Sequence, residues 1–108
     1  MIRILYFSTA HADLGDDGVE AIVAQSQKAN ADRGVTGALA YNGRNFCQVL
    51  EGEEPVVREL IKTIEKDPRH GGFKILDEKQ IESRYFTDWT MKRVSDLDFG
   101  EVINAMKA

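Results

Sequence analysis

The chain has 108 residues, 43% hydrophobic and 30% charged, enough for one globular domain with a single core and too apolar for a disordered chain. Its formal net charge of -4 excludes the concentrated Lys/Arg surface that nucleic acid requires, and no apolar run approaches the roughly 20 residues of a membrane span. One cysteine excludes an internal disulfide and, with no signal-peptide pattern at the N-terminus, a cytoplasmic setting is expected.

The first strand runs from Ile2 to Ser8, with Ile2, Ile4, Tyr6 and Ser8 on one face and Arg3, Leu5 and Phe7 on the other. A polar loop, Thr9 to Gly15, leads to a helix starting near Asp16 or Asp17, where Glu20 completes a capping-box spacing from Asp17. Val19, Ile22, Val23, Ser26, Asn30 and Arg33 share one stripe, apolar in its first half and polar in its second. Gly34 caps the helix. Val35 to Tyr41 is a second strand, and Asn42-Gly43 predicts a two-residue hairpin into a third, Asn45 to Gly52. On that strand Phe46, Gln48 and Leu50 share a face, and Cys47 and Val49 point away from it.

Glu53-Glu54-Pro55 opens a second helix whose buried stripe is Val56, Val57, Leu60, Ile61 and Ile64, and Pro68 stops it. Phe73 to Lys79 forms a fourth strand and Trp89 to Val94 a fifth. The end of the chain places Phe99, Val102, Ile103 and Met106 on one face of a short helix. The order βαββαββ predicts an α+β ferredoxin-like sandwich: a five-stranded mixed sheet, two helices on one face, and a short C-terminal helix on the other. The strand–helix–strand unit at the start predicts a parallel pairing of the first two strands.

No Ser/His/Asp set, phosphate-binding loop, dinucleotide glycine pattern or metal-ligand spacing is present. His11 and His70 fall in predicted loops, where solvated histidines are the ordinary case. The unusual feature is that Tyr6, Ser26, Asn30 and Gln48 all point into the helix–sheet interface. A buried amide left unpaired costs roughly 1–3 kcal/mol, so Gln48 needs polar company. Two readings satisfy it. One is a closed hydrogen-bond network within the protein. The other is a slot for a flat polar heterocycle, its edge met by the amides and its faces covered by aliphatic residues such as Ile22.

Several local motifs recur in order: Leu5-Tyr6-Phe7-Ser8, Asn30-Ala31, Val35-Thr36-Gly37, Phe46-Cys47-Gln48-Val49-Leu50-Glu51-Gly52, Asp67-Pro68-Arg69-His70 and Trp89-Thr90-Met91. With these the chain resembles a BLUF domain, the family of blue-light sensors using FAD, over residues 1 to about 95. The resemblance implies non-covalent FAD, with FMN or riboflavin tolerated. It matches Tyr6 to the tyrosine that passes an electron and a proton to the excited flavin, and Gln48 to the glutamine between that tyrosine and the ring. By the same match Asn30 pairs with the pyrimidine edge, Ser26 lies beside it, and Ile22 walls the ring. Arg69 and His70 lie near the ring edge, and Trp89 and Met91 neighbour the glutamine. Taken singly, Trp89 is an ordinary core aromatic and Met91 a gap filler. Position 29 is Ala, which removes one polar group that relatives with a larger residue there would have.

The function expected is therefore a reversible photoreceptor and not an enzyme by itself. Residues 1–95 would be the flavin domain and 96–108 a helical extension. Output would pass through the fifth strand and C-terminal helix to a downstream protein, with no part for nucleic acid or membrane. The apolar outer sheet face, carrying Leu5, Phe7, Cys47 and Val49, predicts a homo-oligomer through that face, a cover from the C-terminal helix, or both. The alternative is a light-insensitive ferredoxin-like dimerisation or small-ligand module. A third class, a small hydrolase of acylphosphatase-like fold, lacks its expected phosphate-cradling loop.

Overall fold

The structure, a computed structural model, describes residues 1–87, 92–93 and 99–107, with backbone only at 92, 93 and 101. The elements are β1 (Ile2–Ala10), α1 (Asp16–Arg33), β2 (Thr36–Tyr41), β3 (Asn45–Gly52), α2 (Glu54–Glu65), β4 (His70–Gln80), β5 (Lys92–Arg93) and α3 (Gly100–Asn104), followed by a 3₁₀ turn, Ala105–Lys107. Four strands build an antiparallel sheet in the order β4-β1-β3-β2, and the two-residue β5 adds in parallel at the β2 edge.

Three features differ from the sequence expectations. The sheet has four full strands and not five, since the described part of the expected fifth is Lys92 and Arg93 alone. β1 and β2 run parallel without touching, because β3 folds back between them and pairs antiparallel with both. This split arrangement is the ferredoxin-like one, and it sets Tyr6 directly opposite Gln48. The hairpin is shifted by one residue. Asn42 N–H donates to the Asn45 carbonyl at 3.2 Å, so Gly43 and Arg44 are its central pair, with Gly43 at φ 93°. Glycine at the first central position suits the twist of paired strands, and the Asn42 Oδ1 accepts from the backbone N–H groups of Arg44 and Asn45.

Local signals explain the helices. The N-cap of α1 is Gly15, two residues before the Asp17 that the capping-box spacing suggests: it is extended, and its carbonyl accepts from Val19 N–H at 3.1 Å. Asp16 and Asp17 thus lie in the first turn, where the helix dipole favours carboxylates. Gly34 closes α1 at φ 68°, a left-handed cap that suits glycine. α2 carries Pro55 in its first turn.

The sheet has two packed faces. On the inner face Ile2, Ile4, Tyr6, Leu39, Phe46 and Leu50 meet Val19 and Val23 of α1 and Val57, Leu60 and Ile61 of α2. On the outer face Leu5, Ala38, Ala40, Cys47 and Val49 are covered by Phe86 and by Val102, Ala105 and Met106. The outer face is thus covered from within the chain, the C-terminal cover being one of those expected from the sequence. Ile103 does not share in this cover: it is 40% exposed, and Ala105 is buried instead. Tightening of the last turn to three residues per turn aligns Val102 with Ala105.

The outer face also holds an ion pair. Arg3 and Glu51 are direct neighbours across β1 and β3, and the Arg3 Nε donates to Glu51 Oε2 at 3.0 Å, both side chains buried. Thr36 Oγ1 and the backbone N–H groups of Tyr85 and Phe86 complete the carboxylate's partners at 2.9, 3.0 and 2.6 Å. A buried charge survives when it is paired and fully hydrogen-bonded, and here that pairing clamps the segment after β4 onto the sheet.

Candidate functional site

The inner face opens between α1 and α2. Its floor is β1 and β3, with Tyr6, Phe46 and Gln48 pointing up because they share strand parity. Ile22 and Ser26 of α1 form one wall and Ile64 of α2 the other, while Asp67, Arg69 and His70 close the end. This inner cavity is small, 70 Å³, and it merges with an adjoining cleft of 250 Å³. Ser26, Gln48, Ile64, Asp67 and Arg69 line both, and Asn30, buried on α1, lines the outer part.

At the floor the Tyr6 hydroxyl donates to Gln48 Oε1, and both residues are buried. Burial pushes the Tyr6 phenol pKa far above its ordinary 10.0, with smaller upward contributions from Asp67 and Cys47. The phenol therefore keeps its proton and must donate it to something, and the amide oxygen opposite is that acceptor. Cys47, one residue from Gln48 and facing the other way, has its thiol pushed up to about 11 by burial. It is packing, not a nucleophile.

The rim is charged but internally balanced. Arg69 Nε donates to both Asp67 oxygens at 3.0 Å, its Nη2 donates to Oδ2 at 2.6 Å, and its Nη1 reaches Gln25 Oε1 at 2.9 Å. Those bonds hold the Asp67 carboxyl below its ordinary range against partial burial. His70 is not the solvated loop residue expected from sequence. It is the first residue of β4, half-buried beside Tyr6, Phe46 and Phe73, with ring centroids 6.1–6.4 Å apart. Its Nε2 lies 2.6 Å from the Ile64 carbonyl, which can only accept, so Nε2 carries the proton there.

Two buried polar atoms among the described residues have no hydrogen-bond partner: His70 Nδ1 and Ser8 Oγ. Ser8 belongs to the same β1 face as Tyr6. Buried polar atoms are rarely left orphaned in a finished core, and at least one of these two lies on a residue lining the cavity. A closed protein network alone does not account for this face.

The structure thus brings Tyr6, Ile22, Ser26, Asn30, Gln48, Arg69 and His70 to one slot. Trp89 and Met91 lie outside the described residues. Leu39, Phe46, Ile64 and Asp67 also line it and were not singled out from sequence as site residues. The Asp67-Arg69 spacing, an acid and a base two apart after a helix stop, was the signal for the last of these.

Aliphatic walls, an aromatic and amide floor, and at the end a histidine whose Nδ1 has no partner among the described residues fit a flat, hydrogen-bonding, polycyclic ring. A family model for sensors of blue-light using FAD matches residues 1–92. The chain belongs to the BLUF family. BLUF domains bind flavin, and the residues lining this slot fit such a ring. The chain is 36% identical over 70 residues to the blue light- and temperature-regulated antirepressor BluF of Escherichia coli, covering 65% of this chain and 17% of that protein. It superposes on the dark-state structure of the BLUF protein BlrB with a TM-score of 0.86 at 29% identity, covering 97% of this chain and 90% of that one. Klebsiella pneumoniae BlrP1, solved with FMN and cyclic diGMP, superposes with a TM-score of 0.82 at 29% identity, over 96% of this chain and 30% of that chain. The chain thus spans less than a third of the antirepressor and of BlrP1, and the activities of those proteins belong to longer chains. Among the described residues no group of His, Cys, Asp or Glu could hold a metal, and no helix is long and apolar enough to cross a membrane.

Proposed function

We propose that this BLUF chain is a reversible blue-light sensor module in which Tyr6 and Gln48 are the switching pair. The observation that carries this reading is their buried hydrogen bond at the floor of the slot. Flavin, when bound, supplies a blue-absorbing chromophore that accepts an electron on excitation. Ile22 and Ile64 cover the ring faces, Asn30 and Ser26 meet its polar edge, and Arg69 and His70 stand at its end. Tyr6 holds a proton that burial keeps on the phenol, and Gln48 is the acceptor within reach. A primary amide can exchange donor for acceptor at one place by turning end for end or by tautomerising, so the same side chain offers two hydrogen-bond patterns without leaving the floor. FAD is the expected ligand, with FMN and riboflavin accepted because the slot reads the ring.

Residues 1–95 act as the flavin domain and 96–108 as its extension, in a cytoplasmic setting. Output reaches a downstream protein, and any catalysis or repression belongs to that partner or to a further segment. Trp89 and Met91 are assigned to this route by the resemblance. A second link needs no residue outside those described: α3 and the turn after it pack on Leu5, Cys47 and Val49, the direct chain neighbours of Tyr6 and Gln48. A helix of five residues is marginal unless packed, so its docking is easily biased. Self-association through the outer face would require this helix to leave it. Light-minus-dark absorbance of the purified, flavin-loaded chain tests the reading. A reversible red shift is expected, and an unchanged spectrum would reject it. Amide exchange over residues 99–107 in dark and light tests the route.

A further inference from the structure

The slot does not end at Asn30. A cleft of 440 Å³ continues from it towards the start of α2, sharing Arg33, Leu60 and Thr63 with the 250 Å³ part and adding Pro55, Val56 and Glu59. Along α1 the lining moves from Ser26 to Arg33, about 10 Å of helix axis, and along α2 it runs back from Ile64 to Pro55. From the floor at Gln48 the lining continues two ways, into this groove and to the rim at Asp67 and Arg69. The rim is spent, because Arg69 is engaged by both Asp67 oxygens and by Gln25.

Arg33 lies in the last turn of α1 and lines both the middle and the outer cleft. Among the described residues no ion pair is recorded for it, whereas Arg3, Arg58 and Arg69 are each tied to a carboxylate. Among the described residues lining the outer cleft Glu59 is the one carboxylate, and it stands on α2, across from Arg33. A guanidinium presents a planar fork that matches phosphate oxygens. We infer that Arg33 is the phosphate contact of the bound flavin nucleotide, the residue by which this chain favours FMN and FAD over riboflavin. This rests on the flavin reading of the slot.

The flavin-free full-length chain is titrated with riboflavin, FMN and FAD, following flavin fluorescence, for wild type, Arg33→Gln and Arg33→Glu. Arg33 is exposed, so these substitutions leave the core intact. The expected result is that Arg33→Gln weakens FMN and FAD by roughly three- to tenfold with riboflavin unchanged. Arg33→Glu should weaken them further, and added salt should shrink the wild-type preference for the phosphorylated ligands. Equal weakening of all three ligands, or of none, would overturn the assignment while leaving the flavin slot standing. Failure of wild type to bind any of the three flavins would remove the slot reading, and this inference with it.

Discussion

The two faces of the sheet handle buried polarity in opposite ways. On the outer face a buried carboxylate, Glu51, has every visible demand met by Arg3, Thr36 and two backbone N–H groups, and apolar residues seal it. On the inner face an amide and a phenol share one bond in a cavity whose end keeps His70 Nδ1 without a partner. The first arrangement holds a fold. The second sets an amide and a phenol on the floor of an open cavity, within reach of a ligand. A polar group's residue type does not separate these cases; what separates them is whether the group is sealed among protein partners or lines a cavity.

The largest test of that contrast is Glu51→Ala against Gln48→Leu in the flavin-free chain, by urea unfolding. Removing Glu51 takes its carboxylate partner from the buried Arg3, with a cost of about 3–5 kcal/mol. Gln48→Leu leaves the Tyr6 hydroxyl without its acceptor and costs about 1–2 kcal/mol, partly offset by better apolar contact. If Gln48→Leu were the costlier change, the inner face would be the structural one and the contrast would be reversed.

The Arg3–Glu51 clamp also marks where sequence reading fell short. Alternation places Cys47, Val49 and Glu51 on one side and Arg3, Leu5 and Phe7 on one side, so the parity was legible. That Arg3 stands opposite Glu51 depends on β3 inserting beside β1, a register that no local signal carries. The inner site was legible for the same reason of parity: Tyr6, Gln48, Ser26 and Asn30 fall on inward positions from periodicity alone. His70 was misplaced because Pro68-Arg69-His70-Gly71-Gly72 reads as a turn. Pairing of Ala10 with His70 extends β4 back through the glycines, a tertiary contact overriding local chemistry. The hairpin frame slipped because the Asn42 side chain, not its backbone position, organises the turn.

Alkaline pH separates the faces next. Cys47 titrates near 9.0 when exposed and about 11 in the fold, so above pH 9 the unfolded chain loses a proton that the native chain keeps. Stability is full below pH 9 and falls as pH rises towards 11, by roughly 2 kcal/mol. Tyr6 adds a second loss beginning above its unfolded value of 10.0. Cys47→Ala should remove the earlier loss and Tyr6→Phe the later one in pH-dependent unfolding. An unchanged onset in Cys47→Ala would remove the outer-face thiol from the account.

Within the inner face, binding and switching should come apart. Tyr6→Phe and Gln48→Leu keep the helix-side contacts, so both should retain flavin and lose the light-induced red shift. Asn30→Ala should keep the shift in whatever flavin remains and weaken binding by about 1 kcal/mol, roughly fivefold. Equilibrium titration and light-minus-dark spectra read the two effects separately. A normal photocycle in either floor variant would mean that the Tyr6–Gln48 bond is merely structural.

The smallest effect belongs to the rim, where Asp67 and Arg69 are partly exposed. Asp67→Asn keeps the shape and removes the charge, and an ion pair this open to water contributes about 1 kcal/mol or less at neutral pH. The sign follows from the direction of the shift. The folded Asp67 pKa lies below its ordinary 3.8, so the contribution is present above that value and disappears as pH falls through the folded one. Wild type and Asp67→Asn should therefore differ slightly in unfolding at pH 7 and converge in strong acid. The same substitution reaches the floor, because the Asp67 charge is one of the influences raising the Tyr6 pKa. Removing it should move Tyr6 titration downwards, by less than burial moves it up, and the eased proton donation is read at neutral pH from the NMR shift of the Tyr6 phenol carbon in Asp67→Asn against wild type. A Tyr6 phenol shift indifferent to Asp67 would mean that the rim and the floor are electrically separate, and that the switching phenol answers to burial alone.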